Sequence, residues 1–159
     1  MSSNCWTKIG VNDSMSYWDT STLSKLYLLE ADSPVFAQKA ANPTTVVTAR
    51  LSLQELRRVA FRKESEGLIP SHTAEAVLSQ VDMDVAAGDL RIMEMDPQTE
   101  AEFNAIMARC YRHAPPIPIR TFDASHLAVA RVAGETEVVT TDKRMRQAAK
   151  LLGFSLFPV

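Results

Sequence analysis

Strands that alternate with helices along the chain predict an α/β domain, a three-layer α/β/α sandwich around a central, mostly parallel sheet. Three observations carry that prediction. Short runs rich in β-branched and aromatic residues recur at 16–18, 44–49, 90–95, 137–140 and 154–157. Between them lie apolar stripes at helical spacing, such as Phe103, Ile106, Met107 and Cys110. The size, 159 residues with 46% hydrophobic and 23% charged, fits one globular domain with an ordinary core, and a second domain would not fit comfortably.

Residues 1–14, MSSNCWTKIGVNDS, are polar and aperiodic and read as a flexible N-terminal extension ahead of a domain over 15–159. Ser16-Tyr17-Trp18 is a strand ending at Asp19, and Thr20-Ser21-Thr22 leads into a helix with Leu23, Leu26 and Tyr27 on one face. Asp32-Ser33-Pro34 starts a short helix that Asn42-Pro43 closes. After the second strand, Ser52-Leu53-Gln54-Glu55 has the S-x-x-E spacing of a capping box, and Leu56, Val59 and Ala60 form the apolar face behind it. Pro70-Ser71 opens the next helix, with Ala74, Val77, Leu78 and Val81 inward and Gly88 as its stop. Pro97 starts a further helix that buries Cys110, and Pro115-Pro116-Ile117-Pro118 forces an extended connector. The helix from Ala124 to Ala133 is apolar enough to be mostly buried, and the last helix carries Met145, Ala148, Ala149 and Leu152 at core spacing.

Composition narrows the function classes. Two cysteines without metal-type spacing argue against zinc and for a reducing, cytoplasmic setting. No apolar run approaches the ~20 residues of a membrane span, and the N-terminus lacks a signal-peptide layout. A net charge of −2 gives no support to indiscriminate binding to nucleic acid, so a protein that handles nucleic acid needs a local basic surface. Candidate clusters are Arg57-Arg58 with Arg62-Lys63, Arg109 with Arg112 and His113, and Lys143-Arg144 with Arg146 and Lys150; each also reads as a solvated helix face. His72 and His113 have no partners at ligand spacing, and Asp82, Asp84 and Asp89 read as surface acids.

Four other acids stand apart. Asp19, Glu55, Asp123 and Asp142 all fall at or close to strand-to-helix junctions, which places them on one edge of a parallel sheet, where open α/β folds bind ligands. Each has a structural alternative. Asp19 and Asp142 suit helix caps, Glu55 suits the capping box or an ion pair with Arg58, and His126, one turn from Asp123, suits a packed histidine. Carboxylates that converge without compensation repel one another, so the cluster implies a cation, and oxygen-only ligands suit Mg²⁺ or Mn²⁺. The hydroxyl of Thr140, two residues before Asp142, is placed to orient a carboxylate or a water.

The segments YWDTSTLSKLYLLE, SLQELRR, FDASHLAVA and EVVTTDKRMRQAAKLLGFSL resemble, in order and spacing, the motifs of PIN-domain ribonucleases, in particular the VapC-type toxins. Asp19-Thr20-Ser21 meets the D-x-S pattern, Glu55 the acid after the second strand, Asp123 the acid before the alanine-rich helix, and Thr140 with Asp142 the T-x-D turn. The resemblance implies a metal-dependent endoribonuclease. It casts Asp19, Glu55, Asp123 and Asp142 as catalytic, with Asp19, Asp123 and Asp142 on the metal and Ser21 and Thr140 in support. It further implies a homodimer that acts on RNA and is inhibited by a cognate antitoxin. A catalytically silent PIN fold serving as an RNA-binding or assembly module is the alternative. A haloacid-dehalogenase phosphatase fits less well, since Ser21 stands where its second Asp belongs, and the acid-lysine pattern of a receiver domain is not evident.

Overall fold

The computed structural model describes residues 15–41 and 46–159. The expected extension over 1–14 and the start of the second strand at 44 lie outside them. Strand β1 (Ser16–Trp18) is followed by α1 (Thr20–Tyr27) and α2 (Ser33–Ala41), and β2 (Val46–Ala49) by α3 (Arg50–Ser65) and α4 (Thr73–Ala87). Next come β3 (Leu90–Met93), α5 (Pro97–Tyr111) and α6 (Thr121–Val132), then β4 (Glu137–Val139), α7 (Lys143–Leu151) and β5 (Ser155–Phe157). All strand pairings are parallel, in the order β3-β2-β1-β4-β5.

Period-two alternation in the short strands feeds two cores. Tyr17, Val47 and Val138 point into one, with Ile106, Leu127 and Met145 from α5, α6 and α7. Trp18, Val46 and Val139 point into the other, with Leu23, Phe36, Leu56 and Val77 from α1 to α4. The sheet is therefore covered on both faces, the expected three-layer sandwich. Cys110 is fully buried, and burial pushes its thiol up. Among the described residues no helix is long and apolar enough to cross a membrane.

The strand order fixes where a ligand can sit. The chain winds outward from β1 through β2 to β3 by way of α1–α4, then returns beside β1 and winds outward the other way through α5–α7. Connections leaving β1 and β4 thus depart to opposite faces, which opens a crevice between their carboxyl ends. Asp19 and Asp142 follow those two strands.

Several boundaries differ from the sequence expectation. β3 ends at Met93 rather than 95 and β4 at Val139 rather than 140, because both strands run out as their chains turn toward the next helix. Helix α6 starts at Thr121, so Asp123 lies inside its first turn rather than ahead of it. The capping box at Ser52 is a correction. Helix α3 begins at Arg50 with no side-chain cap, and Ser52 is buried inside it, accepting from the Thr48 hydroxyl at 2.6 Å. Glu55 is therefore not tied up in capping.

Candidate active site

The four acids singled out from the sequence line one cleft of about 440 Å³, together with Thr20, Ser21, Arg58, Arg120, Phe122 and His126. Three helix N-termini face it. Asp19 caps α1, Asp142 caps α7 and Asp123 lies in the first turn of α6, so unpaired amides and helix dipoles partly offset the negative charge.

Asp19 is the most tightly held. It is 4% exposed, and its amide extends the sheet by donating to the Val139 carbonyl. One carboxylate oxygen accepts from Ser21 Oγ at 2.8 Å, Thr22 N at 2.9 Å and Thr22 Oγ1 at 2.8 Å, and the other from the buried Thr140 hydroxyl at 2.5 Å. The capping role and the placement in the cleft coexist in one side chain. Thr140 Oγ1 also accepts from the Asp142 amide at 3.1 Å, so a single hydroxyl links the two strand-end acids.

Glu55 comes from the second turn of α3. Its Oε2 accepts from Thr20 Oγ1 and from His126 Nε2, the latter at 3.1 Å. The expected ion pair with Arg58 is absent among the described residues; Arg58 lines the cleft wall instead. Burial pushes Glu55 up, but the hydrogen bonds from His126 and Thr20 and the nearby charges of His126 and Arg120 outweigh it, leaving Glu55 below its ordinary value. His126 is itself buried, and its Nδ1 meets the Tyr17 hydroxyl at 2.7 Å. An ionised carboxylate only accepts, so Nε2 carries the proton toward Glu55, and in the neutral ring Nδ1 accepts from Tyr17. Burial and the Asp19 charge both push the Tyr17 hydroxyl up, which keeps it a donor.

Asp123 and Asp142 share a cation from their own chain. Arg120 Nε donates to Asp123 Oδ2 and Arg120 Nη2 to Asp142 Oδ2, each at 3.0 Å. The other Asp142 oxygen accepts from the amides of Arg144 and Met145 as the α7 cap. Elsewhere each candidate basic cluster gives at least one member to a structural contact. Arg109 donates to the Leu151 carbonyl, Arg146 to the carbonyls of Thr140 and Pro158, and Lys63 to Glu30.

Sequence reasoning weighed His126 mainly as a packed histidine, and the structure makes it a partner of Glu55 as well. It gave no role to Arg120, Thr20, Tyr17 or Phe122. Only Arg120 carried a local signal, its i,i+3 spacing to Asp123; the partners of Tyr17 and Thr20 are remote in the chain.

The donor set is all oxygen, which suits a hard divalent cation. Among the described residues no three His, Cys, Asp or Glu side chains stand close enough to form a closed metal cage. Mg²⁺ is commonly held by one or two carboxylates with water completing its shell, so the pairwise arrangement fits such an ion. Asp123 and Asp142 already share one positive charge, that of Arg120.

A family model described as PIN domain matches residues 16–151. The chain belongs to the PIN-domain family. This PIN domain is 29% identical to ribonuclease VapC35 of Mycobacterium tuberculosis over 150 residues, 89% of this chain and 95% of that protein. It is similar in structure to FitAcB from Neisseria gonorrhoeae, with a TM-score of 0.66 at 20% identity over 90% of this chain and 96% of the other. VapC20 of Mycobacterium tuberculosis, a sarcin-ricin loop cleaving toxin, matches with a TM-score of 0.62 at 19% identity over 84% and 94% of the two chains. At such identities the structural likenesses speak for the fold, and it is the PIN fold.

Proposed function

We propose that this PIN domain is a metal-dependent endoribonuclease, the toxin of a toxin-antitoxin pair. The observation that carries the reading is the convergence of Asp19, Glu55, Asp123 and Asp142 on one cleft at the sheet's switch point. The likeness to ribonuclease VapC35 supports it. In this reading Mg²⁺ or Mn²⁺ would sit among Asp19, Asp123 and Asp142, bound directly by one or two of these carboxylates and through water to the rest; Glu55 is the general base, and Ser21 and Thr140 orient Asp19. The cation, when bound, acidifies water and offsets charge on the scissile phosphate. Glu55, kept ionised and aimed by His126 and Thr20, takes the proton as the water oxygen bonds to phosphorus. The bridging P–O bond breaks, and its oxygen takes a proton from solvent. Phe122, 55% exposed beside Asp123, offers a face on which an unpaired base of single-stranded RNA stacks. A homodimer, a cytoplasmic setting and an antitoxin that covers the acidic cleft complete the proposal.

The test is cleavage of a mixed single-stranded RNA by purified protein with Mg²⁺ or Mn²⁺. We expect chelator to abolish it and Asp123→Asn to lower it on the order of 10³-fold. Cleavage that survives both changes overturns the site. RNA that is bound but never cut, with either metal, supports the silent binding module instead.

A further inference from the structure

Among the described residues Arg120 is the one cationic side chain that bonds two of the four acids directly, and its own setting is unlike theirs. It sits at the N-cap of α6, where a positive charge faces the positive end of the helix, an unfavourable place that helix stability does not explain. Its side chain is 59% exposed, against 12% for Asp123 and 31% for Asp142, so it can leave without opening the fold. Its two bonds use Nε and Nη2 and bridge the two carboxylates, the bond to Asp123 half-buried and the bond to Asp142 exposed.

We propose that Arg120 is an exchangeable counter-cation: it neutralises Asp123 and Asp142 when no metal is bound, gives them up to a divalent cation, and then binds the phosphate of the RNA at the cleft mouth. The proposal rests on the metal-nuclease reading above and adds to it the residue that competes with the metal. Two carboxylates that share a guanidinium compensate each other's repulsion, which lets the cleft fold with its acids ionised. A dication between the same carboxylates removes that need. The guanidinium released at the lip then has the planar fork that suits a phosphate oxygen pair.

The experiment measures Mn²⁺ binding by paramagnetic resonance of the free ion, in the wild-type protein, Arg120→Gln and Arg120→Lys, with circular dichroism to verify folding. We expect Arg120→Gln to bind Mn²⁺ more tightly, by about tenfold, and to gain more thermal stabilisation from Mn²⁺ than wild type. At saturating Mn²⁺ its KM for RNA rises about tenfold with a smaller change in kcat, and Arg120→Lys restores part of the loss. Unchanged or weaker Mn²⁺ binding by folded Arg120→Gln overturns the counter-cation role, and an unchanged KM overturns the phosphate role. Absence of Mn²⁺ binding in all three proteins overturns the metal-nuclease reading itself, and this proposal with it.

Discussion

Asp19 and the Asp123–Asp142 pair face the same cleft but are held in opposite ways. Around Asp19 the donors among the described residues are all neutral, the hydroxyls of Ser21, Thr22 and Thr140 and the Thr22 amide, on short and largely buried side chains or backbone. Around Asp123 and Asp142 the shared partner is a single exposed arginine. Neutral donors fixed by packing orient a carboxylate without spending its charge. An exposed ion pair spends the charge, and it contributes only ~0–1 kcal/mol because solvent and side-chain freedom compete with it. The Asp19 side is thus prepared in advance, and the other side is adjustable.

Asparagine substitutions test this contrast most sharply, because Asn caps helices as well as Asp does and leaves α1 and α7 intact. Asp19→Asn should lower RNA cleavage on the order of 10³-fold with little change in Tm. Asp142→Asn should cost less, about tenfold, since one of its oxygens only caps α7 and the other faces a movable guanidinium. Kinetics beside circular dichroism on both variants checks the order, and equal losses would erase the distinction between the two sides. Thr140→Val sharpens it further. The variant keeps the shape but leaves Asp19 Oδ2 and the Asp142 amide without their common hydroxyl, a cost of about 1–3 kcal/mol in urea unfolding.

The prepared side was the more legible in the sequence. Asp19 directly follows β1, and a parallel sheet needs no tertiary detail to put a strand end on the ligand-binding edge. Thr140 was legible as the residue whose hydroxyl orients an acid, although the acid it bonds is Asp19, 121 positions away. Glu55 was obscured because S-x-x-E matches a cap equally well when the helix has in fact started at Arg50. His126 was undervalued for a different reason. Its bonds span 109 and 71 positions, and no local pattern encodes a side chain that threads from one core to a residue on the opposite layer. Arg120 carried only an i,i+3 spacing to Asp123, which reads as an ordinary surface ion pair until its second acceptor, Asp142, is known.

Glu55 sits between the two sides, with a neutral donor in Thr20 and a titratable one in His126, and its pH response distinguishes which matters. Its folded-state pKa is lowered, so the stability it contributes is present above the unfolded pKa and lost as pH falls through the folded one. Thermal melts of wild type and Glu55→Gln should therefore differ at neutral pH and converge as pH falls below the ordinary carboxylate range. A gap that persists at low pH would assign the effect to packing of the side chain rather than to its charge.

The smallest change reaches the cleft from the core. Tyr17→Phe removes one hydroxyl from a fully buried ring on β1, and that hydroxyl bonds one lining residue of the cleft, His126. Nδ1 of that imidazole then has no donor, which is expected to cost about 1–3 kcal/mol and lower Tm on the order of 2–8 °C. The catalytic consequence follows from the ring's tautomer. Without Tyr17 to occupy Nδ1, the proton is no longer directed to Nε2, and the bond that aims Glu55 is present in only part of the population. A fall in kcat of about threefold at unchanged KM is the expected reading, because Tyr17 holds the base and not the RNA. If Tm falls while kcat stays put, Thr20 alone suffices to aim Glu55, and the Tyr17–His126 contact belongs to the packing of the core.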